Sequence, residues 1–259
     1  MAQFSDEGMR KGTKSTLYSA FTPVQSEVML GSKKCTVIDG GYLLHKVVWN
    51  KTSAVNFGAV CKTYVEYVQR HFGSNAVVVF DGYSDESTQQ STKSWERSRR
   101  ASLHSSAKIL FNKTTAVTIA PEKFLSNDGN KSRLIALLKN EMAEVGIDVL
   151  QALDDADVLV INTAKSKASE FDSVTIVGED IDLLVLLTAL TSSHGNIYFQ
   201  KSGKGNAPFV SYSPKSFKYD PQHILFLHAY SGVTQHRPHL DKEEQNSAML
   251  FRSTLIYLK

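Results

Sequence analysis

The chain has 259 residues, 42% of them hydrophobic, and a formal net charge of only +3 from 29 Lys and Arg against 26 Asp and Glu. That size and apolar content suit one α/β domain with a real core. The near-balanced charge does not by itself announce a nucleic-acid binder. Two cysteines are too few for a disulfide framework, and no apolar run reaches the roughly 18 residues of a membrane span.

Residues 1–32 are polar with scattered apolar positions. TKSTLYSAFTPV has the pattern of a short helix, expected to pack outside the main sheet. KKCTVID predicts a strand ending at Asp39, and Gly40–Gly41 is expected to turn the chain there. Ala59, Val60, Tyr64, Tyr67 and Val68 recur at helical spacing, with His71 and Gly73 at the C-terminal end. NAVVVF predicts a second strand ending at Asp81. From Asp85 to about Ser105 the pattern is polar, helical or looped, and contains the basic cluster STKSWERSRR. AVTIA reads as a short strand stopped by Pro121.

Asn130 to Val145 reads as an amphipathic helix with a stripe of Leu134, Leu137, Leu138, Met142 and Val145, ended by Gly146. IDVLQA predicts a strand. DDADVLVINTAKS predicts a helix with acids at its N-terminus, SVTIVG a strand, and DIDLLVLLTAL a buried helix. NIYFQKSG and APFVSYS predict a hairpin across the glycine-bearing KSGKGNA, and PQHILFLHAYSG a last helix. Strands alternating with helices imply a doubly wound, mostly parallel sheet with helices on both faces. Cys35 falls in a strand pattern and Cys61 in a helical one, so burial is the expected role of both. The start of the chain lacks the order of a secretory signal. The setting expected from this is intracellular, nuclear or cytoplasmic.

Carboxylates recur where apolar runs stop. Asp39, Asp81, Asp180 and Asp182 follow β-branched runs directly, and Asp154, Asp155 and Asp157 lie just past one. Ligands of open α/β sheets bind outside the carboxyl ends of the strands, so these acids are expected at one sheet edge. Crowded acids repel and favour a hard cation between them, with Mg²⁺ or Mn²⁺ the expected cofactor. Two such ions about 3.5–4 Å apart would suit in-line hydrolysis of a phosphodiester. Taken singly, each acid is better read as a cap or a turn residue; taken together, they point to a metal site. No P-loop, dinucleotide fingerprint or nucleophile elbow is present. His223, His228, His236 and His239 lack a thiol partner and a firm zinc spacing, so a helix-face or tail role is expected.

At these residues the sequence resembles the PIN-like nuclease superfamily, nearest its flap-endonuclease and 5′-exonuclease branch. The blocks that carry the resemblance are VIDGGYLLHKVVWN, YVEYVQRHFG, VVVFDGYSDESTQQSTKSWERSRR, DDADVLVINTA, VTIVGEDIDLLVLLTAL, NIYFQKSGKG and HILFLHAYSG, from about Thr36 to Gly232. The resemblance implies a Rossmann-like sheet, metal-dependent cleavage of DNA or RNA, and no membrane. It places Asp39, Asp81, Asp155, Asp157, Asp180 and Asp182 as metal ligands. Lys93 with Arg97 or Arg100 takes the part of the cations on a gateway helix. It divides the chain into an extension over 1–32, a nuclease domain over 33–232 and a divergent tail over 233–259.

One departure bears on activity. Where such proteins carry Cys-Asp and then Thr after the last block, this chain has Val233, Thr234 and Gln235. The first reading is therefore a metal-dependent nuclease, and the alternative is a degenerate module that binds nucleic acid or a protein partner. A phosphatase is the third reading, disfavoured because Asp39 is followed by Gly40, Gly41 and Tyr42 and no D-x-D appears.

Overall fold

The structure is a computed structural model, and it describes residues 4–5, 8–9, 14–24, 32–49, 55–82, 106–153, 155–191, 194–203 and 208–233. A two-residue antiparallel pair, β1 (Phe4–Ser5) and β2 (Gly8–Met9), precedes a 3₁₀ helix over Lys14–Ala20 and strand β3 (Phe21–Val24). The main pattern then runs β4 (Lys34–Asp39), α1 (Gly40–Lys46), α2 (Phe57–Phe72), β5 (Ala76–Phe80), α3 (Pro121–Leu125), α4 (Asp128–Glu144) and β6 (Asp148–Gln151). It continues through α5 (Asp157–Lys167), β7 (Ser173–Gly178), α6 (Ile181–Thr191), β8 (Ile197–Lys201), β9 (Val210–Phe217) and α7 (Ile224–Val233).

The seven-stranded sheet has the order β3-β9-β8-β7-β4-β5-β6. Strands β8, β7, β4, β5 and β6 are parallel, and β9 and then β3 add antiparallel at one edge. This is the Rossmann-like, mostly parallel α/β sheet the sequence implies. From β4 the chain builds outward through β5 to β6, then returns to the other side of β4 with β7 and β8. The order therefore reverses between β4 and β7, and the crevice at such a switch point is where open α/β sheets bind ligands.

Burial on both faces explains why the central strands are continuous β-branched runs rather than alternating ones. Successive side chains point to opposite faces. Ile38, Val78 and Phe80 join α1, α2 and α4 in one core, while Val37, Val77, Val79 and Ile176 join α5 and α6 in the other. Cys35 and Cys61 are both buried and unbridged, as expected. The edge strand β6 is largely exposed, and Leu150 within it is 39% exposed.

The structure departs from the sequence reading at four places. Gly40 and Gly41 do not turn the chain: they open α1, with Asp39 as its N-cap. A Cβ on Gly40 would collide with the Phe80 ring, so the glycine serves close packing of α1 on β5. AVTIA is not a strand; Ala116 makes an isolated bridge to Asn56, and Val117 and Ile119 anchor the segment in the core. Of the first segment, Phe21–Val24 do not stay outside the sheet: β3 pairs with β9, with Pro23 on an edge strand where the missing donor is tolerated. The α4 stripe buries Ile135 rather than Val145, which sits at the C-cap and is 45% exposed.

Candidate metal centre at the strand ends

Each acid is placed by the end of a strand. Asp39 closes β4, and its Oδ1 accepts from the Gly41 amide at 2.9 Å. Asp81 follows β5, and its Oδ1 accepts from the Ala156 amide at 2.9 Å, 75 residues away. That bond ties the end of β5 to the loop entering α5. The same junction is held by Ala152 N–H on the Phe80 carbonyl and by Gln151 Nε2 on the Asp81 carbonyl. It is also tight: a Cβ on Gly82 would strike the Leu153 carbonyl. Asp157 opens α5, and Asp155 Oδ1 accepts from its amide at 3.4 Å.

Beyond β7, Asp180 Oδ1 accepts from the Asp182 amide at 3.0 Å, an Asx-type turn that starts α6. Gly178, the last residue of β7, lies against Asp39: a Cβ there would be 3.6 Å from Asp39 Cβ. The β4 and β7 ends thus form the two walls of the switch-point crevice.

The electrostatics sort the acids into two groups. Burial is the main force raising the Asp39 carboxyl, to about 7, and the charges of Asp81 and Asp157 push the same way against the amides of Gly41 and Tyr42. Asp81 and Asp157, drawn from two other segments, therefore both act on Asp39. Asp180 and Asp182 bear instead on the Tyr18 hydroxyl, whose ionisation is suppressed first by burial and then by these charges. Asp182 Oδ1 also lies 2.7 Å from His228 Nε2 on α7. Asp155 accepts from the amide at the start of α5.

Among the described residues, no group of three or more His, Cys, Asp or Glu stands close enough to hold an ion as the side chains lie. The donor set still fits a hard divalent cation: all-oxygen ligands, mutual repulsion, and a buried carboxyl that resists ionising without a counter-charge. Asp154, Lys93, Arg97, Arg100, His236 and His239 fall outside the described residues.

Three residues here escaped the sequence reading. His228, assigned to a helix face, reaches an acid 46 positions away. Tyr18, from the first segment, donates its hydroxyl to the Glu179 carbonyl at 3.1 Å. Lys201 lies with Nζ 3.8 Å from the Tyr18 ring centroid. A polar His inside the apolar run HILFLHAY was the one available signal; nothing in sequence linked Tyr18 or Lys201 to the acids.

The sheet order defines a Rossmann-like α/β domain, with carboxylates at the ends of its strands. Solved structures similar to the chain include human GEN1 in complex with Holliday junction DNA, at 13% identity over 91% of this chain and 54% of that one, with a TM-score of 0.46. They also include the catalytic core of Rad2 in complex with DNA substrate, at 15% identity over 94% and 79% of the two chains and a TM-score of 0.43. A third is the T5 D15 protein co-crystallised with metal ions, at 16% identity over 65% and 54% and a TM-score of 0.38. The chain spans about half the length of the GEN1 chain it matches. No family model matches it, and no curated protein matches it in sequence. Among the described residues, no helix is long and apolar enough to cross a membrane.

Proposed function

We propose that the chain is a metal-dependent nuclease-like domain that hydrolyses phosphodiester bonds in DNA or RNA. The observation that supports it best is that the charges of Asp81 and Asp157, from two other segments, bear on Asp39 at the switch point, where ligands of such sheets bind. Asp39, Asp81, Asp155, Asp157, Asp180 and Asp182 would hold Mg²⁺ or Mn²⁺. When bound, such an ion supplies Lewis acidity toward a phosphodiester oxygen and lowers the pKa of a water.

The chain's own residues do the positioning. The Asp81–Ala156 bond ties the end of β5 to the entry of α5, where Asp155 and Asp157 stand. His228 fixes one oxygen of Asp182 and leaves the direction of the other defined. In this reading Lys93, Arg97 and Arg100 would neutralise non-bridging oxygens of the substrate.

The test is hydrolysis of single-stranded, duplex and flap substrates with Mg²⁺ or Mn²⁺, beside an Asp39→Asn/Asp180→Asn double variant. The double variant should lose activity by about 10³-fold or more. Equal rates would assign the cleavage to a contaminant.

A second reading, a degenerate module that binds nucleic acid or a protein partner, is favoured by the sequence after the last block, where Val233, Thr234 and Gln235 stand in place of a Cys-Asp pair. Calorimetric titration separates the two. Mn²⁺ binding at millimolar concentration or tighter supports the nuclease, and its absence the degenerate module.

A further inference from the structure

Lys201 is the last residue of β8, and in the parallel register it pairs with Gly178, the last residue of β7. It therefore stands at the same sheet edge as the carboxylates, one strand outward. Its side chain is partly buried, with Nζ 3.8 Å from the Tyr18 ring centroid. That ring is itself fixed. The Tyr18 hydroxyl is held by the Glu179 carbonyl at 3.1 Å, and the ring packs on Tyr212 with centroids 5.4 Å apart. Glu179 is the residue between Gly178 and Asp180, so the seat of the ammonium is anchored to the loop that carries the second acidic group.

A cation on an aromatic face keeps its full charge, and the face limits the rotamers the long side chain can visit. Less freedom is then lost when an anion arrives. The location gives the charge a purpose. A phosphate approaching a cleft of carboxylates meets repulsion, and a cation at the rim offsets it and sets the register of approach.

We propose that Lys201, seated on Tyr18, binds a backbone phosphate of the nucleic acid at the mouth of the acidic crevice. This deepens the nuclease reading and rests on it. The contact is to phosphate oxygen alone, so it contributes affinity without sequence preference.

The test measures binding by the full chain rather than cleavage, with Ca²⁺ in place of Mg²⁺ or Mn²⁺. Fluorescence anisotropy follows a fluorescein-labelled duplex bearing a single-stranded flap between 50 and 200 mM salt. Losing one duplex phosphate contact lowers the log–log salt slope by about 0.9, so over this range the wild type should lose about threefold more affinity than Lys201→Gln. Lys201→Arg should restore the slope. Tyr18→Leu should weaken binding by removing the seat, and Tyr18→Phe, which keeps the ring, should not. Should Lys201→Gln melt early, Lys201→Met, which retains the stem packed on Tyr18, is read in its place. Equal affinity and equal slope in a folded charge-removing variant would overturn the inference and leave the nuclease reading standing. A wild type that binds no oligonucleotide at 50 mM salt overturns both.

Discussion

The two walls of the crevice carry the same residue type at the same sheet edge under opposite physics. On the β4–β5–β6 side, the Asp39 carboxyl is largely desolvated and faces the charges of Asp81 and Asp157, with the backbone amides of Gly41 and Tyr42 easing its ionisation. On the β7 side, Asp180 is exposed, and Asp182 has the imidazole of His228 at 2.7 Å. The first wall is held by folding in a state it disfavours when charged. The second is solvated and supported by its own polar neighbours. A cation drawn to the crevice would therefore gain most at the first wall and be steered by the second.

The largest effect expected from breaking this contrast lies at Asp39. Its folded carboxyl titrates near 7 rather than 3.8, so the folded state holds that proton more tightly. The stabilisation this brings is complete below about pH 4 and is lost as pH rises to about 7. Asp39→Asn keeps the cap on Gly41 and never ionises. Its gain over the wild type should grow from pH 4 to 7 and level off above, with a ceiling of about 4 kcal/mol. Urea melts across that range check it, and a gain that does not vary with pH would break the assignment. At pH 8, excess Mn²⁺ should raise the melting temperature of the wild type and leave the variant nearly unmoved.

A smaller effect belongs to His228. Replacing it with leucine removes the bond to Asp182 and should weaken Mn²⁺ affinity by roughly 10–100-fold. Unchanged affinity would show that the imidazole does not orient the acid. The smallest effect is at Asp180, where exposure leaves little to gain. Asp180→Asn should alter stability by no more than about 0.5 kcal/mol. A gain matching that of Asp39→Asn would erase the distinction between the walls.

Most of the central sheet could be read from sequence because burial on two faces writes itself as β-branched runs: TVID, VVVF and SVTIVG all form strands. Their terminal acids were legible for the same reason, since a run that stops at Asp marks where the sheet meets solvent. The errors fell where a local pattern serves a non-local end. AVTIA alternates like a strand, yet its apolar residues plug the core without a ladder partner beyond the Asn56 bridge. FTPV is short and contains proline, and β9 recruits it from almost 200 positions away. The His228–Asp182 pair depends on how α7 packs on α6, and no spacing along the chain encodes that.

The central pairing of β4 with β7 has a consequence for synthesis. It joins segments about 139 residues apart, as the bond from the Lys33 amide to Asp172 at its margin records. Closing so long a loop is entropically slow, and local helices and the β4–β5 pair can form well before it. The strand ends that carry the two sets of acids are therefore brought side by side late, only after β7 has left the ribosome.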